Sequence, residues 1–296
     1  MSATVRFFGV RGSIPSPGSS TVRVGGNTAC VEVRLGGEVI VLDGGSGLRQ
    51  LGAACGAPLR ATLLFGHLHW DHIQGVPFFG PLFHPQTRLA LLGPDGLRAA
   101  LGAQMSRPSF PVSLAELPAQ LRCESLAPGA RFALGEVRVA TAPLRHPGGG
   151  LAYRLEWRDL SVVYACDTEP PAEGLDEGVC ELARGADLLI HDAQYLPEEY
   201  PAKVGWGHST FAAAAALAAA AGVRRLVLTH HDPARDDLAV ARLERRARRL
   251  FPDVIAAREG QVLTLRAAAA APPAADPGPD PAPAPTPAVA GGRGGA

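Results

Sequence analysis

Six consecutive residues, His67-Leu68-His69-Trp70-Asp71-His72, put four side chains with metal-binding chemistry into one short segment. The segment follows the apolar run Ala61-Thr62-Leu63-Leu64-Phe65, which reads as a buried strand. Donors just past a strand's C-terminal end sit where α/β sheets carry their chemistry, so the chain has to fold around strands whose ends converge. His67 and His69 are two residues apart. In extended backbone their imidazoles point the same way and reach one ion. Asp71 and His72 follow where the chain turns, and they face a second ion beside the first. This nitrogen-rich donor set without a thiolate suits zinc, with manganese as the alternative.

Three later residues repeat the arrangement of an apolar strand followed by a donor. His146 comes after the strand-like 137–140 and a short turn, Asp167 ends the apolar run 162–166, and His230 ends the run 226–229. One strand-terminal Asp or His is ordinarily a turn residue. Four strand ends in the same role predict a two-ion site. His67, His69 and His146 then take one ion, Asp71, His72 and His230 the other, and Asp167 bridges them. Two adjacent ions hold a hydroxide as nucleophile and polarise phosphoryl oxygens, with Asp71 both ligating and orienting that hydroxide.

The order His-x-His-x-Asp-His, followed by a distant His, Asp and His, resembles the signature of the metallo-β-lactamase superfamily over roughly residues 4–266. Within it the chain looks most similar to the ribonuclease Z-like phosphodiesterases. Three segments carry that likeness: Cys166-Asp167-Thr168, Leu188-Leu189-Ile190-His191-Asp192-Ala193 and Gly207-His208-Ser209-Thr210. The resemblance implies an α/β fold of the four-layer αββα sandwich type, where the strand count alone also permits a single doubly wound sheet. It further implies His208 as general acid, Asp192 as its support and a homodimer. Asp192 stands where the family pattern carries Glu, a departure at that supporting position. Gly205, Gly207 and Ser209 mark a tight loop opening a helix, a setting that favours an anionic phosphate beside His208.

A length of 296 residues at 47% hydrophobic content is enough for one full core. We assign residues 1–266 to one hydrolase domain. The Ala, Pro and Gly composition of 267–296 reads as a disordered tail, because it offers too little apolar surface to offset its ordering entropy. The formal net charge of +0 gives no global field for gathering polyanions and argues against a long nucleic acid as partner. Five cysteines, an odd number without a Cys-x-x-Cys, read as reduced thiols of a cytoplasmic protein. Strand alternation predicts that Cys166 points to the face opposite Asp167. The opening residues enter a strand with no secretory apolar segment. The alanine run 212–221 is too short for a membrane span and reads as a helix opened by Ser209 or Thr210 and closed by Gly222.

Strands are expected at 5–10, Cys30–Leu35 and 39–43, then near Leu89, Val137, Tyr153, Val162, Leu188, Leu226 and Val262. Helices are expected after Gly44-Gly45-Ser46-Gly47 and at 96–104, 176–183, 211–221 and 238–251. The glycine-rich loops at 9–15 and 25–28 resemble family loops bordering the site, and that resemblance makes Arg11 and Asn27 candidates for lining the pocket, with ordinary turn chemistry as the other explanation. Lys203 and Arg145 read either as phosphate contacts or as solvated charges. Only twenty residues separate His146 from Asp167, taken up by a Pro147-Gly148-Gly149-Gly150 turn and a hairpin around Trp157-Arg158-Asp159. Family members that process tRNA carry a long arm in this interval. Its absence, with the zero net charge, points to a small phosphodiester, a cyclic nucleotide first. The rival readings are cleavage of short RNA or RNA 3′ ends, a lactonase, thioesterase or sulfatase on the same scaffold, and a catalytically silent binding scaffold. The complete donor set argues against the last, and His69 argues against a redox di-iron centre.

Overall fold

The computed structural model describes residues 2–266, and the tail assigned to 267–296 lies outside the described residues. The first half of the chain supplies β1 (Ser2–Gly9), β2 (Cys30–Leu35), β3 (Glu38–Leu42), β4 (Arg60–Leu64), β5 (Arg88–Gly93) and β6 (Gln120–Ser125). The second half supplies β7 (Arg131–Leu134), β8 (Val137–Pro143), β9 (Leu151–Trp157), β10 (Leu160–Ala165), β11 (Leu188–Asp192), β12 (Leu226–Thr229) and β13 (Val254–Ala256). A last strand, β14 (Val262–Arg266), returns to the first sheet beside β1. The result is two seven-stranded sheets, ordered β14-β1-β2-β3-β4-β5-β6 and β13-β12-β11-β10-β9-β8-β7.

Both halves follow one plan. An antiparallel meander, β1 to β3 or β7 to β10, leads into parallel strands, β3 to β6 or β10 to β13. Parallel neighbours need crossovers, and helices provide them. In the first half these are α1 (Gly47–Cys55), the short α2 (Trp70–Ile73) and α3 (Leu97–Gln104). In the second they are α4 (Glu177–Ala183), α5 (Phe211–Ala220) and α6 (Asp237–Ala247).

The sheets pack face to face through Val5, Phe7, Val33 and Ile40 on one side and Tyr153, Leu155, Val162 and Ile190 on the other. Leu48, Leu51, Leu97 and Leu101 of α1 and α3 cover the outer face of the first sheet. Val179, Ala214, Leu217 and Leu243 of α4, α5 and α6 cover the outer face of the second. This is the expected four-layer αββα sandwich. Strands buried on both faces read as continuous apolar runs, as in β10, all six residues of which are buried.

Thr210, not Ser209, caps α5, accepting from the amide of Ala213. Gly222, with φ 64°, ends that helix region in the left-handed conformation that glycine takes freely. The last long helix ends at Ala247, short of the expected 251. Strands β6, β7 and β13 were absent from the sequence expectation. β6 is a sheet edge whose residues are all exposed or half-buried, so its apolar signal is weak, and β13 is three residues long. Among the described residues, no helix is long and apolar enough to cross a membrane.

Candidate metal centre

Five of the parallel strands, β3, β4, β10, β11 and β12, deliver residues to one end of the sandwich. Asp43 follows β3, the 67–72 segment follows β4, Asp167 follows β10, Asp192 closes β11 and His230 follows β12. His146 arrives from β8 through the glycine turn, where the Gly149 amide donates to the carbonyl of His146 at 2.9 Å. Asp43, Asp167 and His230 have φ of 60°, 59° and 59°. This left-handed backbone costs on the order of 1 kcal/mol or more outside glycine. At Asp167 it breaks strand alternation. The thiol of Cys166 therefore does not point away from the centre, as alternation predicts, but donates to Oδ1 of Asp167 at 3.1 Å. Burial first, and then the charge of Asp167, push that thiol's pKa well up.

Two groups of donor atoms meet at this end. In one, Nε2 of His146 is 3.0 Å from Nδ1 of His69, and Oδ2 of Asp167 is 3.4 Å from Nε2 of His67 and 3.8 Å from Nε2 of His146. In the other, Nε2 of His72 is 3.2 Å from Nε2 of His230 and 3.4 Å from Oδ2 of Asp71, which is itself 3.1 Å from Nε2 of His230. The second oxygen of Asp167, Oδ1, lies 3.2 Å from His72 and 3.1 Å from His230. Four donors held at about 2.0–2.2 Å around a tetrahedral ion stand about 3.3–3.6 Å apart, so these spacings are close to ligand-ligand edges. His67 gives an independent test of fit. Its ring is buried, and neither nitrogen has a hydrogen-bond partner, a costly state for an imidazole with no ligand to hold. The histidine and aspartate groups thus fit a dinuclear metal site.

A further layer fixes the rings. Asp43 accepts from Nδ1 of His72 at 2.7 Å, from the Tyr164 hydroxyl at 2.6 Å and from the Gly66 amide at 2.6 Å. The Gln194 side-chain oxygen is 2.8 Å from Nδ1 of His230, and the Gly207 carbonyl is 2.8 Å from Nδ1 of His146. An imidazole that donates through Nδ1 presents a lone pair on Nε2, so all three partners aim their rings inward. Two glycines allow this close approach. A Cβ at Gly12 would meet the His230 ring, and one at Gly207 would meet the His146 ring. Sequence reasoning missed Asp43 and Gln194. Asp43 carried the same signal as Asp167 and His230, a donor directly after an apolar strand.

The opening loop touches the centre through its backbone, where the Ser13 amide donates to Oδ2 of Asp71 at 2.7 Å. Arg11 does not line the pocket. Its buried guanidinium donates to the carbonyls of Gly25 at 2.7 Å and Arg235 at 2.6 Å. Asn27 is also structural, bonded to Glu259 and Ser46. Lys203 lies with its ammonium 4.0 Å from the Trp206 ring centre. Arg145 is exposed on the wall of a 700 Å³ cleft that also includes His146, Glu169 and Tyr200.

Charge in the site is strongly sorted. Burial pulls the pKa of His67 well down and favours its neutral, ligand-competent form. Burial works against the charge on Asp71, but His72 and His230 outweigh it and hold the carboxyl well below its usual range. His208 sits beside the two donor groups, its ring centre 5.0 Å from that of His230, with Nδ1 2.9 Å from Oδ2 of Asp192 and 3.8 Å from Oδ2 of Asp167. Burial disfavours its protonation, yet Asp192 prevails and the pKa is pushed up to about 9. The other oxygen of the buried Asp192 accepts the Gln194 amide at 2.8 Å, which fixes that carboxylate.

The family model for the beta-lactamase superfamily domain matches residues 39–231. A ribonuclease Z from Mycobacterium avium (strain 104) is 32% identical over 253 residues, covering 78% of this chain and 86% of that protein. A ribonuclease Z from Methanothermobacter thermautotrophicus is 26% identical over 279 residues, covering 76% and 85%. Among solved structures, a diphosphatase from the PhnP family matches with a TM-score of 0.69 at 20% identity, over 90% of this chain and 98% of its own. The short form of human tRNase Z matches at 0.62 and 23% identity, over 88% and 98%. At those identities the structural likeness shows the fold alone. Fold, donor clusters and sequence kinship together define a metal-dependent hydrolase acting on phosphodiesters. The chain belongs to the β-lactamase superfamily, in its ribonuclease Z-like branch.

Proposed function

We propose that this hydrolase opens the phosphodiester ring of a small cyclic nucleotide. In this reading His67, His69 and His146 hold one zinc ion, Asp71, His72 and His230 hold a second, and Asp167 spans both. The observation that carries it is the arrangement around Asp167. Its two oxygens face separate nitrogen-rich groups, and Nδ1 of His208 stands 3.8 Å away, held by the Asp192 carboxylate. Bound divalent cations supply Lewis acidity and a water acidified toward neutral pH. The protein's own residues do the rest. Asp71, fixed by the Ser13 amide, orients the attacking water. As water adds to phosphorus and the ring P–O bond breaks, the leaving ribose oxygen takes the proton from His208, and solvent then restores it. Asp192 keeps the His208 ring in place and favours its charged form.

The small-substrate reading is supported by the interval from His146 to Asp167. The glycine turn and the β9–β10 hairpin fill it, leaving no room for an RNA-gripping arm. A second reading, cleavage near RNA 3′ ends, draws its support from the relatives named ribonuclease Z. The two are separated by comparing kcat/KM for 3′,5′- and 2′,3′-cyclic nucleotides with that for a tRNA precursor carrying a 3′ trailer. Higher efficiency on a cyclic nucleotide supports the first, and higher efficiency on the RNA moves the assignment to the second. Lactone or thioester turnover alone rejects both. We also propose a homodimer and a cytoplasmic location on the same kinship, the former to be read by light scattering. Manganese in place of zinc in the purified protein would correct the metal assignment.

A further inference from the structure

The loop that carries His208 is held in an unusual way. Its outer residues Val204 and Trp206 are 63% and 57% exposed, so apolar burial does little to fix it. A single carboxylate does so instead. Oε1 of Glu169 accepts the Tyr200 hydroxyl at 2.8 Å and the Gly205 amide at 2.7 Å, and Oε2 accepts the Gly207 amide at 2.9 Å. Gly207 directly precedes His208, and its carbonyl lies 2.8 Å from Nδ1 of His146. Glu169 itself comes two residues after Asp167, and its own amide donates to the carbonyl of Arg145 at 2.8 Å. One residue, its carboxylate on the loop bearing His208 and its amide on the turn bearing His146, thus ties both to the strand end bearing Asp167.

We infer that Glu169 is a positioning residue for proton transfer. It locks the His208 loop to the segment carrying Asp167, so that the acid keeps its place over the leaving oxygen. This rests on the reading of His208 as general acid. All three groups that face the carboxylate donate to it, and no neutral isostere reproduces that. In Glu169→Gln one face of the side chain becomes an amide donor. Whichever way it is turned, that donor meets a backbone N–H, of Gly205 or of Gly207. Tyr200→Phe removes one donor and leaves both glycine contacts, so it is the milder change.

The test uses the metal-loaded full chain and two phosphodiesters that differ in their need for an acid. Bis(p-nitrophenyl) phosphate expels a stable phenolate, whereas a cyclic nucleotide or a dinucleotide expels a ribose alkoxide. For Glu169→Gln, kcat on the ribose substrate is expected to fall about 10- to 100-fold, the scale of a misplaced catalytic group. The nitrophenyl ester should change by less than about threefold, because its leaving group needs no proton. Metal content and KM should stay near wild type, and Tyr200→Phe should show a smaller bias of the same sign. Equal losses on both substrates, losses that follow metal content, or no loss would each overturn the inference. His208→Ala separates the two levels. If it shows the leaving-group bias and Glu169→Gln does not, the positioning role fails alone. If His208→Ala shows no bias, the acid assignment falls, and the role of Glu169 with it.

Discussion

Oδ2 of Asp43 lies 2.7 Å from Nδ1 of His72 and 2.6 Å from the hydroxyl of Tyr164, beneath the donor groups. Asp43 is fully buried, so this is a fixed carboxylate and not a mobile surface charge. Partners of this kind set ring orientation and raise ligand basicity. Asp43→Ala should therefore weaken metal affinity by about 10- to 100-fold. Tyr164→Phe, which leaves the Asp43–His72 contact in place, should cost less. Competition against a chromophoric chelator reads both, and wild-type affinity in Asp43→Ala would contradict the supporting role.

The two glycines that face ligand rings predict separable effects. A methyl at Gly12 presses on His230 and Gln194, and one at Gly207 presses on His146 and Pro147. Gly12→Ala should weaken the ion assigned to Asp71, His72 and His230. Gly207→Ala should weaken the other, with added strain because Gly207 has φ 84°. Stepwise cobalt titration followed by absorbance distinguishes them. Equal loss of both ions from Gly12→Ala would contradict the partition.

Much of this centre is legible in the sequence, because the rule of an apolar strand followed by a donor is local. It finds the 67–72 cluster, Asp167 and His230 from strand runs alone. The rule fails where backbone geometry intervenes. Nothing in Cys166-Asp167 announces the left-handed turn that brings the thiol beside the carboxylate. Arg11 and Asn27 are candidates for the pocket because their loops resemble family loops bordering the site, whereas their bonds run to distant partners such as Arg235 and Glu259, which local patterns do not reveal. Glu169 was invisible for the same reason, as its three donors lie 31 to 38 residues away. The edge strand β6 turns only the half-buried Leu121 and Cys123 toward the core, a weaker apolar signal than that of the interior strands.

The proton donation proposed for His208 carries a definite pH signature. Its pKa, pushed up to about 9 as Asp192 overcomes burial, keeps the acid charged below that value and discharges it above. Turnover of a ribose phosphodiester should therefore fall along an alkaline limb. Asp192→Asn removes the attraction that raises the pKa and should move this limb to lower pH. Bound cations repel the imidazolium in wild type and variant alike, so the comparison isolates Asp192. A pH-rate profile of kcat reads the shift, and coincident limbs would contradict the pairing. The stability term has the matching sign. With the folded pKa raised, the His208–Asp192 contribution is full below the unfolded value of about 6.5 and is lost as pH rises through about 9.

The central claim is hydrolysis of a small cyclic phosphodiester at a centre bridged by Asp167. Its most direct test is turnover of a panel of cyclic nucleotides by zinc-loaded wild-type protein and by Asp167→Ala, with circular dichroism confirming that both are folded. The account predicts hydrolysis by the wild type that falls to background in the variant. Undiminished turnover in Asp167→Ala would contradict the bridging role, and a wild type inert toward every member of the panel would contradict the proposed substrate.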